Sequence, residues 1–139
     1  HKIGLTKDLE PCGFFDDNVW WRGVLDLLII DKDKQLATVI DYKTGKSSQY
    51  ADTRQLSLMG VGVFKHFPKV ENIKSALMFL VSKELIKEDY NVKKVDEMFE
   101  EWGKMIHRID TAYSTNVFNA VPNFGCRWCP VASCAHNGK

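Results

Sequence analysis

Gly23-Val24-Leu25-Asp26, followed fifteen residues after that aspartate by Asp41-Tyr42-Lys43, decides how this chain folds. Trp20 to Ile30 and Leu36 to Asp41 are apolar runs rich in β-formers, and Asp31-Lys32-Asp33-Lys34-Gln35 between them is a polar loop. That pattern predicts two antiparallel strands. With Ile30 opposite Ala37, Asp26 falls opposite Asp41. Opposed Cβ atoms lie about 5 Å apart, and two carboxylates there would repel by roughly 3 kcal/mol at an effective dielectric near 20. A divalent cation reverses that sign. Strand alternation keeps Lys43 on the face of Asp41 and turns Tyr42 away, leaving the Tyr42 backbone carbonyl near the site. The loop has no glycine to pin the register, and a slip of one residue would throw an acid to the other face.

The plainer alternative is that Asp41 ends a strand and Asp26 is a half-buried acid with a structural partner. The setting of Asp26 within Val24-Leu25-Asp26-Leu27-Leu28 favours a cation. An acid inside an apolar strand is costly to bury unless it is paired or coordinates a metal.

The rest of the chain reads as α/β, a central mixed β-sheet flanked by helices. Lys2 to Leu5 is a strand, and Pro11-Cys12-Gly13 breaks the run before Trp20. Ala51 to Phe67 is helical, with Leu56, Met59, Val63, Phe64 and Phe67 forming a stripe, Gln55 beside it and Pro68 ending it. Ser75 to Val81 is an apolar run of the length of a buried strand. Val92 to Tyr113 is a long amphipathic helix, because Val95, Met98, Phe99, Trp102, Ile106, Ile109 and Tyr113 recur at three and four residues. These aromatic and Met stripes read as core. His66 and His107 read as helix residues without evident partners.

At 139 residues and 45% hydrophobic content the chain can bury one sizeable core, so residues 1–139 are expected to form a single domain, with 122–139 a cysteine-rich segment. The chain opens at His1 rather than Met, compatible with a missing upstream segment. A net charge of +1 carries no information about a polyanionic partner. Binding to one would need a local basic patch, for which Lys43, Lys46 and Arg54 are candidates beside the acids. No apolar run approaches membrane-spanning length and no signal-peptide pattern is present, so the expected location is cytoplasmic and reducing. Gly45-Lys46-Ser47 after a strand suggests a phosphate-binding loop, but that motif needs a glycine where the chain has Ile40. Gly45 is instead expected to let the chain turn sharply toward the helix.

A second cluster, Cys126-Arg127-Trp128-Cys129-Pro130-Val131-Ala132-Ser133-Cys134-Ala135-His136, places three thiols within nine residues. A Cys-x-x-Cys at its head lets one turn direct two sulfurs at an ion. In a reducing compartment this favours a metal over a disulfide. His136 would complete a tetrahedral zinc site locally.

Gly23, Asp26, Asp41, Lys43, Thr44, Gly45 and Gln55 together resemble the RecB-type branch of the PD-(D/E)XK nucleases, over about Trp20 to Phe67. The cysteine cluster extends the likeness. Members often carry Tyr four residues after the helical Gln, where this chain has Met59, and often take a further metal-site His or Glu from an upstream helix. The resemblance implies a restriction-endonuclease-like core and a DNA nuclease, more commonly an exonuclease, of the kind used in DNA repair or recombination. It implies a Mg2+ or Mn2+ ion held by Asp26, Asp41 and the Tyr42 carbonyl, with Lys43 and Gln55 completing the catalytic set. It also offers an iron-sulfur cluster at Cys126, Cys129 and Cys134 with an upstream cysteine, for which Cys12 is the candidate, beside the zinc alternative with His136. A non-catalytic DNA-binding module and a metal-stabilised protein-interaction domain remain open on the same residues.

Overall fold

The hairpin forms in the expected register, Ile30 opposite Ala37, in the computed structural model, which describes every residue except Lys46, Ser47, Tyr50 and Lys139. In chain order the strands are β1 (Lys2–Leu5), β2 (Pro11–Cys12), β3 (Trp21–Val24), β4 (Leu27–Asp31), β5 (Leu36–Lys43), β6 (Asn72–Phe79) and β7 (Glu84–Asn91). The helices are α1 (Arg54–His66), between β5 and β6, and α2 (Val95–Thr115), entered through a 3-10 turn at Val92–Lys94. The chain divides into two compact units, His1–Lys104 and Met105–Lys139.

The first unit holds a three-stranded antiparallel sheet in the order β2-β1-β3 and a mixed four-stranded sheet in the order β4-β5-β6-β7. β5 and β6 pair in parallel, from Leu36 opposite Asn72 to Lys43 opposite Phe79. A parallel pair needs a long crossover, and α1 supplies it. Ala37, Val39 and Asp41 of β5, and Ile73, Ser75, Leu77 and Phe79 of β6, alternate as the buried face. Val61, Val63 and Phe64 of α1 join Ile3, Leu5, Leu25, Val39 and Ile73 in the main core, and Val95, with Met98 and Phe99 packed against it, brings in α2. Each fully buried Leu or Ile here contributes about 1.5–3 kcal/mol of burial free energy. Gly62 marks the closest approach of helix to sheet, since an added Cβ would come within 2.6 Å of Ile3 Cδ1 and 2.8 Å of Trp21 Cζ3.

Several expectations change. Trp20 to Ile30 is not one strand but two, β3 and β4, belonging to different sheets. Leu25 takes a core position at 1% exposure, and its N–H is claimed by the His1 carbonyl at 2.8 Å, which bends the chain between the sheets. The strand read as Ser75–Val81 is Asn72–Phe79, because the ladder with β5 ends at Lys43 opposite Phe79 and leaves Leu80 and Val81 exposed. β7 was not expected. It is an edge strand in which only Ile86 and Tyr90 pack onto the core clusters, and its charged exposed positions carry no apolar alternation to read. Gly45 has open space where a Cβ would stand and no positive φ, so the turn there does not demand glycine.

The second unit contains the end of α2, a 3-10 turn at Phe124–Trp128 and a series of tight turns to Gly138. Ile109 and Tyr113, expected in the core, are 56% and 73% exposed. Among the described residues no helix is long and apolar enough to cross a membrane.

Candidate active site

Strand alternation on β5 sets the site. Asp41 points to the buried face at 8% exposure, Lys43 follows on that face half-buried, and the Tyr42 side chain turns out to solvent. Asp41 Oδ2 is withdrawn from water and makes no hydrogen bond. Lys43 Nζ lies 2.7 Å from that oxygen, a charge contact that is not aligned as a hydrogen bond. Lys43 Nζ instead donates to Gln55 Oε1 at 3.1 Å, which brings the first turn of α1 to the strand. Asp41, Lys43 and Gln55 are thus gathered directly.

Asp26 reaches the group by another route. Its Oδ2 accepts the Tyr42 backbone N–H at 2.8 Å, so the carboxylate is tied to the peptide that follows Asp41. Leu27 opposite Ile40 is the last ladder pair, and Asp26 lies one step beyond it. Asp26 is exposed rather than buried in an apolar strand, and the acid withdrawn from water is Asp41. The bend that sends Leu25 into the core turns the next residue outward.

Arg54, a candidate phosphate contact, grips Asp52: Nε donates to Oδ1 at 2.9 Å and Nη2 to Oδ2 at 2.6 Å. The guanidinium holds the Asp52 carboxyl down to about 2. Asp52 Oδ1 also accepts the Arg54 backbone N–H at 3.0 Å, just before α1, which begins at Arg54 rather than Ala51. Lys46 and Ser47 lie outside the described residues.

Beside Lys43 and Gln55 opens a cleft of about 360 Å³, lined also by Asp52, Leu77, Phe79 and Trp102. The parallel register explains its position, since Phe79 stands opposite Lys43 and Leu77 opposite Asp41. Asp52, Phe79 and Trp102 were not read as site residues. The Trp102 stripe carried only a packing signal, and nothing local links β6 to Lys43.

Cys12 sits on β2 opposite Gly4 in the first unit, and Cys126, Cys129 and Cys134 sit in the second. All four are free, partly buried thiols. Turns bring the cysteine segment back on itself: the Gly138 N–H reaches the Cys126 carbonyl at 3.1 Å, Asn137 Nδ2 donates to the Cys129 carbonyl at 2.6 Å, and the Asn123 N–H donates to Cys126 Sγ at 3.4 Å. Among the described residues no group of three or more His, Cys, Asp or Glu side chains is arranged to hold a metal ion, and Asp26 with Asp41 would make a pair. His66 has a partner after all, its Nε2 lying 2.7 Å from the Gly4 carbonyl.

The residues at the acidic site suit a hard divalent cation. An oxygen that is buried, anionic and without a hydrogen bond is the donor such an ion takes. No curated protein and no solved structure is significantly similar to this chain. A family model does match, across residues 6–134, and the mixed sheet, its crossover helix and the Asp41–Lys43 strand end all lie within it. The chain therefore belongs to the PD-(D/E)XK nuclease superfamily, whose members generally hydrolyse phosphodiester bonds and typically use Mg2+ or Mn2+.

Proposed function

We propose that this chain is a Mg2+- or Mn2+-dependent deoxyribonuclease of the RecB-type branch, acting as an exonuclease. The observation that carries the reading is the buried Asp41 Oδ2, in charge contact with Lys43 but without a hydrogen bond, on the strand whose next peptide is tied to Asp26. Asp26, Asp41 and the Tyr42 carbonyl would hold the ion. An ion there would supply Lewis acidity at a phosphoryl oxygen and would make water a better nucleophile. Hydrolysis forms a P–O bond from water and breaks the bond to the leaving sugar oxygen, which takes up a proton. Lys43 offers a fixed positive charge where phosphoryl charge builds up, and it costs little to reorganise because Gln55 already holds its Nζ. Gln55 also bounds the cleft, so its amide can position water or the scissile strand. Lys46 and Arg54 would add phosphate contacts, Arg54 by sharing its guanidinium with Asp52. DNA as substrate and the exonuclease mode come from the RecB-type resemblance.

The cysteine cluster is proposed as a structural metal site of different chemistry, since thiolates favour zinc or iron and suit Mg2+ poorly. Few apolar side chains are buried around these thiols, since Phe124, Trp128 and Val131 are exposed. The thiols are free.

Asp41→Asn tests the nuclease reading. Purified Asp41→Asn protein should lose Mn2+-dependent cleavage of linear DNA by more than about 100-fold, because disturbing only the groups behind metal ligands already costs about 10–100-fold. Full cleavage by the variant would sink the assignment. DNA binding by both proteins without cleavage by either would instead point to a non-catalytic module.

A further inference from the structure

We infer that the cleft beside Lys43 is a nucleobase pocket in which the Trp102 indole stacks on one unpaired base at the end of the DNA, an inference that rests on the nuclease reading. Lys43 and Gln55 belong both to the acidic site and to the cleft wall, so whatever occupies the cleft lies next to the phosphate being processed. At about 360 Å³ the cleft is near the small end of ligand pockets, roughly 300–1,000 Å³, which fits one base rather than a run of them.

The lining chooses the base over the backbone. Trp102, only partly buried, presents an aromatic ring suited to a neutral planar base, with the buried Phe79 and Leu77 completing the apolar wall. Both charged groups of the lining are already paired, Lys43 with Asp41 and Asp52 with Arg54, so the cleft presents little net charge to draw in a phosphate. The exocyclic amino group of a base can donate to Asp52 or Gln55, as carboxylates and amides do at base edges.

Trp102 is also held in place. Its Nε1 donates to Ser57 Oγ at 3.2 Å, and Ser57 Oγ donates to the Arg54 carbonyl at 2.7 Å, which ties the indole to the first turns of the helix that carries Gln55. Aromatic stacking tolerates any base because every base has a π face. A base can enter only when it is out of the duplex stack, so the pocket selects single-stranded or frayed ends.

The test is equilibrium binding of the full chain to short single-stranded oligonucleotides in Ca2+, alongside a series carrying one abasic position stepped from the end, and to a blunt duplex. With the unaltered protein, one abasic position should weaken binding about tenfold, the size of one base–aromatic stack. Trp102→Leu should bind intact and abasic strands alike at that weaker level, Trp102→Phe should restore most of the difference, and blunt-duplex binding should change little. Ser57→Ala should show a partial version of the Trp102→Leu result. An abasic penalty that persists in Trp102→Leu, or no position-dependent penalty in the unaltered protein, would overturn the pocket while leaving the nuclease reading intact. Absence of both cleavage and DNA binding by the unaltered protein would overturn that reading, and the pocket with it.

Discussion

Asp41 shows how a single residue carries both a cost and a function. A buried polar group without a hydrogen bond costs about 1–3 kcal/mol, and Asp41 Oδ2 is such a group. Its contact with Lys43 offsets part of that cost, but burying an ion pair is often close to neutral in net free energy. Asp41→Asn should therefore leave the metal-free melting temperature unchanged or slightly raised, because Lys43 keeps Gln55 and partial access to water. The unaltered protein should gain stability on adding Mn2+, by about 2.7 kcal/mol at a hundredfold excess over Kd. Asp41→Asn should lose that gain. A melting shift with Mn2+ as large in the variant as in the unaltered protein would remove Asp41 from the metal site.

At the scale of elements, packing overrides local propensity on α1. Replacing a mid-helix glycine with alanine would gain about 1 kcal/mol from helix propensity alone. At Gly62 the new Cβ meets Ile3 and the Trp21 ring, and overpacking costs about 1–3 kcal/mol. Gly62→Ala should lower the melting temperature, and a rise would show that β1 and β3 give way to the helix. On β7, Tyr90 is pushed up to about 12 from an ordinary 10.0, chiefly by burial and then by the charge of Glu88, with a bond to Ser75 acting the other way. The unfolded chain gives up this proton near pH 10 while the folded protein keeps it. The stabilising contribution is complete below about pH 10 and is lost as pH rises to about 12. Tyr90→Phe should fall less steeply in melting temperature across that window, and parallel curves for the two proteins would assign the alkaline loss to other groups.

Across the whole chain, the second unit is where a bound metal would matter most for stability. Phe124, Trp128 and Val131 stand 87%, 70% and 52% exposed, so burial contributes little around the cysteines. Metal-binding free energy there would be folding free energy. Cys129→Ala should lower the midpoint of the Met105–Lys139 unit, followed by hydrogen exchange, while cleavage chemistry changes later or not at all. Elemental analysis of protein purified without oxygen separates zinc from iron. If zinc is bound, His136→Ala should weaken it and Cys12→Ala should not. Metal-free protein whose exchange pattern is unchanged by Cys129→Ala would dispose of the site.

Alternation and loop length were enough to read the β4–β5 hairpin, its Ile30–Ala37 register and the shared face of Asp41 and Lys43, because period-two geometry is local. Helical spacing likewise placed α1 and Gln55, with the start corrected to Arg54. The bend at Leu25 was not readable, since an apolar strand and an apolar bend that enters the core look alike in composition. Which acid is buried, the β7 edge, and the meeting of Phe79 and Trp102 with Lys43 depend on parallel pairing and helix packing between distant segments. Local pattern determined which residues share a face. Only the tertiary structure decided which face is closed to water, because burial is set by what the rest of the chain lays over it.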